Sequence, residues 1–193
     1  MTAQLQQYYP ASNLPGLASN YSVPVPSSGS YNQTLDRIDQ NIGDKIRIYV
    51  RAHWQKWVGF SGNAIPVNAT SAPTTVTNYT GGYTHTLTPN LVNDLRLGRN
   101  FFNTATLNPF TLSNQASAGT NLGIPGFLGD SQYNNPGIPD FTITGFNGLA
   151  NASSNWFQND STVQLSDQIS WSHGAHNIIA GLEFRRLATG RQD

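Results

Sequence analysis

Two histidines close to one another are the first candidates for chemistry in this 193-residue sequence. His173 and His176 flank Gly174-Ala175, a spacing at which two imidazoles can share a metal ion. A zinc site needs three or four ligands, and no third ligand or carboxylate lies nearby in the sequence. Glycine at the first central position of a two-residue loop is typical of a type II′ hairpin turn. A hairpin turn is therefore the preferred interpretation, and no metal site is predicted.

Two groups of charged residues are the next candidates. Arg185-Arg186 has the composition of an anion-binding patch, but successive side chains of a strand point to opposite faces, so the two cannot act together. Asp39 lies diagonally across a predicted hairpin from Arg47 and Arg51. These three residues suggest an acid–base pair or a ladder of charges along one sheet face, and the ladder is the preferred interpretation.

Composition excludes several classes of function. The sequence has no Cys, so a disulfide scaffold and a cysteine-ligated metal site are excluded. Ten cations balance ten anions, which argues against nucleic-acid binding through a basic surface. No Gly-rich phosphate loop or nucleophile elbow occurs, so neither an enzyme nor a cofactor is predicted. Ser, Thr, Asn and Gln supply 68 residues against one Glu and two Lys, a composition typical of an extracytoplasmic all-β protein.

The two termini complete this picture. Residues 1–30 contain four prolines among Ser, Gly and Asn and are predicted to form a loop segment. No signal peptide is visible, because the start has neither basic residues nor an apolar run. An extracytoplasmic composition without an export signal suggests a fragment of a longer protein.

Six segments alternate apolar and polar residues with the period of a half-buried strand. They cover residues 32–42, 46–54, 75–87, 91–101, 162–171 and 177–185. In the second of these, Ile46, Ile48 and Val50 alternate with Arg47 and Arg51. The pattern predicts an all-β, antiparallel up-and-down meander.

The connections alternate in length. Residues 43–45, 88–90 and 174–175 are predicted turns, whereas residues 59–72 and 105–158 are long links. Short turns at one end and long loops at the other are typical of an outer-membrane barrel, with an apolar face toward lipid and a polar face toward a wet lumen. The alternative is a soluble extracellular β-module that binds glycans or mediates adhesion. Aromatic residues near strand ends favour the membrane interpretation: Trp54, Trp57, Phe101, Trp171 and Phe184.

Strand parity assigns the charged residues to faces. The predicted lumen-facing residues are Arg37, Asp39, Arg47, Arg51, Arg96, Glu183 and Arg185. Arg99 and Asp167 have outward parity. Arg99 is predicted either to extend toward the membrane interface or to mark the exit of its strand from lipid. Asp167 lies close to a short turn, where a charge costs less than at mid-membrane.

The long link at residues 105–158 is the best candidate for ligand recognition, since loops of this length are usually functional or disordered. It has two charges, Asp130 and Asp140, and its aromatic rings with Asn and Gln amides suit a neutral ligand such as a glycan or peptide. The candidate ligand-binding residues are Phe127, Tyr133, Phe141, Phe146, Trp156 and Phe157. The alternative is that the loop packs on itself in small apolar clusters, which Ile124, Ile138 and Ile143 would join.

Five motifs in order give the chain a recognisable resemblance. DRIDQNIGDK with YVR (36–51) resembles the R-I-D-x-N-x-x-D-K hairpin of TonB-dependent outer-membrane receptors. HTLTPNLVNDLRLG (85–98) resembles their H-T-F-S-P-x-L-V-N-E-x-R-x-G hairpin, and GIPG (123–126) and residues 139–146 resemble their long-loop motifs. QLSDQISW followed by GLEFRR (164–186) is similar to their Q-L-S-D-x-x-S-W and G-x-E-x-R-R pattern. The resemblance is narrower to the Oar-like group, whose members carry a carboxypeptidase-regulatory-like domain before the plug.

The resemblance implies a receptor that imports a large or scarce ligand, such as a glycan, peptide or siderophore, through a 22-stranded barrel in the outer membrane. Residues 31–188 would form six strands of that barrel, and residues 189–193 a truncated end. The implied partners are outer-membrane lipid, an unknown ligand, and the TonB complex through a plug that this chain does not show. No nucleic acid is expected as a partner.

Overall fold

Six antiparallel strands form one sheet in the order β1 to β6. The computed structural model describes residues 2–113, 115, 117–123, 137–149 and 155–192. The strands are β1 (Ser27–Ile42), β2 (Ile46–Ser61), β3 (Thr70–Thr88), β4 (Leu91–Thr106), β5 (Trp156–His173) and β6 (His176–Gln192). Each strand pairs with its neighbours in sequence. The all-β, up-and-down meander predicted from the alternation is therefore confirmed.

The first and third hairpin turns agree with the sequence prediction. Residues 43–45 join β1 to β2, and Ile42 pairs with Ile46 across them. Gly174 and Ala175 join β5 to β6, with a positive φ of 58° at Gly174 and none at Ala175. A positive φ at the first central residue alone is what a type II′ turn requires.

The second turn differs from its prediction. Residues 88–90 were expected to form a three-residue turn, but Thr88 pairs with Leu91 and the register shifts between Thr86 and Thr88. The turn therefore has two residues, and Leu87 is the extra residue of a β-bulge. A bulge adds one residue to one strand. The shorter turn and the extra bulge residue compensate, so Thr86 pairs with Val92 as a three-residue turn would also require. The remaining residues of β3 and β4 therefore keep their predicted faces.

The strands extend further toward the long connections than predicted. β1 begins at Ser27 and β6 ends at Gln192, each four residues outside the predicted barrel segment of residues 31–188. The long connection is correspondingly shorter, because β4 runs to Thr106 and β5 begins at Trp156. The outer strand ends mix apolar and polar residues without a period of two, as in Trp57, Val58 and Phe60 of β2, so alternation no longer marks them as strand.

Cross-strand pairing divides the sheet into an apolar face and a polar face. Directly paired residues share a face. One such row crosses the whole sheet on the apolar face: Ile38, Val50, Gly81, Leu97, Leu165 and Phe184. These apolar side chains are largely uncovered, with Ile38 74% exposed and Phe184 59% exposed. An apolar face of this extent marks a membrane or partner surface.

The height of the apolar face matches a lipid bilayer. On β4 the residues of this face run from Leu91 through Leu95 and Leu97 to Phe101, and Asn103 follows. Ten residue steps span about 34 Å along a strand, and a tilt of about 45° reduces this to about 25 Å. That height equals the lipid-facing band of outer-membrane barrels.

The apolar face carries a row of charges two residues from Leu97, on the side of the long connections: Asp36, Arg99 and Arg186. The Arg99 guanidinium lies 4.3 Å from the centre of the Phe101 ring, toward the end of the sheet that carries the long connections. This direction supports the predicted extension toward the interface. Near the short turns, the Asn93 side chain donates a hydrogen bond of 2.6 Å to Asp167.

The buried core lies beyond the long-loop end of the sheet. Short helices α1 (Thr2–Gln6), α2 (Pro109–Leu112) and α3 (Ala118–Asn121) and a 3-10 turn (Pro66–Asn68) contribute to it or adjoin it. None of the described helices is long and apolar enough to cross a membrane. The residues of this cap core are Leu5, Ile65, Phe110, Ala118, Leu122, Ile138 and Leu149. Residues 1–30, predicted to be a loop without a core, therefore contribute a helix and a buried leucine.

Candidate functional site

The polar face of the sheet holds all seven residues predicted to face a lumen. Arg37 pairs directly with Arg51, and the same row ends at Arg185 on β6. The adjacent rows on this face hold Asp39, Arg96 and Glu183, and then Arg47 with Asp94. Register thus brings these charges into three neighbouring rows, which extend from the side of the short turns to the level of the Leu97 row. That this face lines a lumen remains a prediction.

Ion pairs on the polar face form within strands. Arg37 contacts Asp39 at 2.7 Å, and Arg96 contacts Asp94 at 2.7 Å. Arg185 contacts Glu183 at 2.8 Å. Residues two apart on a strand point to the same face, which allows these contacts. Asp39 does lie diagonal to Arg47 and Arg51, as predicted, but its carboxylate bonds to Arg37, which is closer along its own strand.

The arginines of β2 give this surface its positive excess. Arg47 and Arg51 make no ion pair with any residue that the structure describes. Between them Tyr49 lies against Gly82, where the absence of a side chain leaves room for the phenol ring. The Arg37 guanidinium lies 4.5 Å from the centre of that ring. In these three rows five arginines accompany three carboxylates, and this part of the polar face favours anionic groups.

A shallow depression of about 390 Å³ opens on the same face over β4, β5 and β6. Its polar-face lining includes Asp94, Arg96, Ser166, Gln168 and Glu183. The depression presents both signs of charge together with neutral hydrogen-bonding groups. Its composition suits contact with a polar surface better than binding of an apolar molecule.

The aromatic residues predicted to bind a ligand do not form one patch. Phe127 and Tyr133 lie outside the described residues. Phe141 packs against the cap core, and Phe146 is 68% exposed. Trp156 and Phe157 belong to β5 rather than to the loop, and strand parity places them on opposite faces.

The cap core supports the self-packing alternative for the described part of the long connection. Ile138 is 1% exposed and Leu149 is fully buried, whereas Ile143 remains 37% exposed. The N-terminal segment joins this cluster, since Tyr8 packs edge-on to Phe110 with ring centres 5.8 Å apart. Burial raises the pKa of the Tyr8 phenol above its usual value. The Tyr9 hydroxyl donates a hydrogen bond of 2.8 Å to the backbone oxygen of Asn147.

The two remaining candidates behave as strand and turn residues. His173 and His176 pair with each other across the hairpin turn, and the His173 ring stacks on Trp171 at 5.4 Å. Arg185 and Arg186 fall on opposite faces of β6, because they pair with Gln164 and Val163. Within the described ranges, no three His, Cys, Asp or Glu side chains are grouped to hold a metal ion.

Sequence reasoning misplaced two aromatic residues. Phe184 was expected near a strand end, but it lies in the middle of β6, level with Leu97. Trp57 was grouped with the outward rings near strand ends, but it pairs with Tyr31 on the polar face. Trp54, three positions earlier on β2, faces the opposite way. Counting parity from Trp54 would have shown this in the sequence. Position near a strand end does not distinguish the two faces.

Comparison with known proteins places the chain in a structural context. A family model described as an outer membrane beta barrel domain matches residues 1–193. No curated protein and no solved structure shows significant similarity to the chain. The matched family agrees with the meander, the exposed apolar face and the height of that face.

Proposed function

The chain belongs to the outer membrane beta barrel domain family, and on that premise we propose that it forms part of the wall of a TonB-dependent import receptor of the Oar-like group. Its location is the outer membrane. The apolar face contacts lipid, the polar face lines the lumen, and the short turns lie on the periplasmic side. The long connections and the cap core then lie outside the cell.

The observation that carries this proposal is the open six-stranded sheet with a charged inner wall. In the described structure the sheet ends at β1 and β6, which do not pair with each other. Unpaired backbone groups cost several kcal/mol each in hydrocarbon, so a membrane sheet must close. We infer that further strands, from the same polypeptide or from other copies, complete the wall.

A wide barrel explains the charges on the polar face. Small barrels fill their interior with their own side chains, whereas the widest outer-membrane transporters carry a plug inside. The depression lined by Arg96 and Glu183, and the β2 arginines Arg47 and Arg51, offer polar contacts to such a plug. The plug would transmit force from TonB, and the protein would act as a transporter rather than an enzyme. The imported ligand would be large or scarce, as the sequence motifs imply.

The soluble β-module receives less support. In such a module the row from Ile38 to Phe184 would be covered by a second layer, yet it is open. The described core lies beyond the sheet end, so it does not cover this face.

Energy-dependent uptake by the complete protein tests the proposal. Cells that express the complete protein should accumulate its ligand only when TonB and the proton-motive force are present. A matched strain that lacks TonB should bind ligand at the surface without accumulating it. Uptake that persists in this strain, with steady conductance in planar bilayers, would contradict the proposal and indicate an open channel.

A further inference from the structure

The outer end of the polar face has a different chemistry from the arginine-bearing part. Trp57 lies six residues beyond Arg51 on β2, about 20 Å along the strand. It pairs directly with Tyr31 on β1. The next row toward the short turns holds Gln33 opposite Gln55, and the row beyond Trp57 holds Gly29 opposite Gly59. None of these six residues of β1 and β2 is charged, and the same rows carry charge only on β5 and β6, at Asp160 and Arg191.

The indole of Trp57 lies against the sheet because Gly59 leaves space for it. A Cβ atom at Gly59 would meet the indole six-membered ring at 2.7 and 2.8 Å. A Cβ atom at Gly29 would lie 3.5 Å from the indole nitrogen. The ring therefore occupies the space of a side chain at Gly59, whereas a methyl group at Gly29 would make an ordinary contact with it. One side of it is supported by backbone while Trp57 remains 42% exposed.

Hydrogen-bonding groups surround the two exposed rings. Tyr31 is 54% exposed, and its hydroxyl donates a hydrogen bond of 2.6 Å to the side-chain oxygen of Gln33. Each Gln amide offers both donors and an acceptor. Thr74 and Thr104 continue the row of Trp57, and their hydroxyls are 2.8 Å apart.

We propose that Tyr31, Trp57, Gln33 and Gln55 form a binding site for a neutral saccharide on the inner wall, close to the outer mouth of the barrel. The C–H groups of a sugar ring pack on an exposed aromatic face, while amide and hydroxyl groups bind the sugar hydroxyls. The uncharged part of the row of Trp57 runs from Tyr31 to Gln158 and crosses four strand spacings of about 4.8 Å, or about 19 Å, which is enough for a short oligosaccharide. The row ends at Arg191 on β6. This site depends on the proposed import function in one respect: the saccharide must enter the lumen to reach it.

A lipid contact does not explain these rings. Aromatic girdles of barrels lie on the lipid face, where Trp54 and Phe101 are found. Tyr31 and Trp57 lie on the opposite face, at a height where the apolar face has already given way to Lys56 and polar residues. A peptide is the competing ligand class. Tyr31, Trp57, Gln33 and Gln55 offer no charge for peptide termini, and the charges of their rows, Asp160 and Arg191, lie three and four strands away from β2, which favours a saccharide at the rings.

Binding by the full-length protein in detergent tests the site directly. The probes are neutral linear oligosaccharides of glucose and of xylose with two to six units, titrated by calorimetry. At least one probe should bind the unaltered protein. Trp57→Ala should weaken that binding by about tenfold or more, because buried Trp contacts dominate binding free energies. Trp54→Ala is the matched control, since it removes the same ring from the same strand on the other face, and binding should not change.

A second variant tests the site without removing the ring. Gly59→Ala places a methyl group where the indole lies and should tilt the ring, so binding should weaken while the barrel still assembles. Loss of binding in Trp57→Ala and Gly59→Ala but not in Trp54→Ala supports the site. Equal affinity in all variants, no binding of any probe, or Trp57-dependent binding of uncharged tetrapeptides instead of saccharides would overturn it.

Failure of this site and failure of the import proposal give different results. If saccharide binding depends on Trp57 but uptake does not need TonB, the site stands and the import mechanism is wrong. If uptake needs TonB and no saccharide binds, the site alone is wrong.

Discussion

Replacing Leu97 with arginine tests whether the apolar face contacts lipid. Leu97 lies in the row that crosses the whole sheet, between Gly81 and Leu165, and is 55% exposed. On β4 it lies midway between Leu91 and Asn103, the outward residues near the limits of the band. Leu97→Arg therefore places a cation close to mid-membrane.

The cost follows from the depth of the new side chain. An arginine at a bilayer midplane destabilises a barrel by about 2–4 kcal/mol. Extension toward the interface gives limited relief, because the side chain would reach only the level of Arg99, whose guanidinium already contacts Phe101. We expect a loss of about 3 kcal/mol, which shifts the folding equilibrium by roughly a hundredfold.

Asn100→Arg is the matched control. Asn100 lies on the same strand but on the polar face, between Asn78 and Thr162. A surface substitution of this kind changes stability by about 0.5 kcal/mol or less. Urea titration of the full-length protein in lipid vesicles measures both variants. Equal midpoints for Leu97→Arg and wild type, or equal losses for the two variants, would refute the face assignment.

Three further predictions concern the cap core and the closure of the barrel. Deleting residues 115–150 from the complete protein should leave the barrel assembled, because every strand pair lies outside this segment, but should reduce ligand uptake; unchanged uptake would assign recognition to the wall. The packing of Tyr8 against Phe110 should weaken as the pH rises above about 10. Burial raises the pKa of Tyr8 in the folded cap, so ionisation of the phenol favours the unfolded cap. Limited proteolysis of the N-terminal segment should therefore become faster with rising pH in wild type, and this pH dependence should be absent in Tyr8→Phe. These 193 residues alone should neither conduct ions nor stay monomeric in water, because both sheet edges are open; a soluble, sharply melting monomer in ultracentrifugation and calorimetry would contradict the barrel.

The sheet could be predicted from the sequence because lipid imposes a strict alternation. On β2, Ile46, Ile48 and Val50 alternate with Arg47 and Arg51. Alternation of this kind was enough to predict the two faces of the sheet, the pairing of the strands and two of the three turns. Alternation does not extend beyond the lipid band. The outer ends of the strands were missed for this reason.

The cap core and the Trp57 site could not be predicted from local pattern. Leu5 is buried by residues that lie far away in the sequence, and the N-terminal segment has no hydrophobic periodicity that would predict this contact. The indole of Trp57 lies over Gly59 of its own strand and beside Gly29 of β1. Their proximity becomes visible only when the register of the first hairpin is known.

The cap core has a consequence for the order of folding. Each strand pairs with its immediate neighbour, so the sheet can grow hairpin by hairpin with short chain closures. The bond from Tyr9 to Asn147, in contrast, joins residues 138 apart. That contact can form only when the intervening β1 to β4 have brought their outer ends together. Closure of the cap would therefore be a late kinetic step, and its protection from hydrogen exchange would appear after that of the strands.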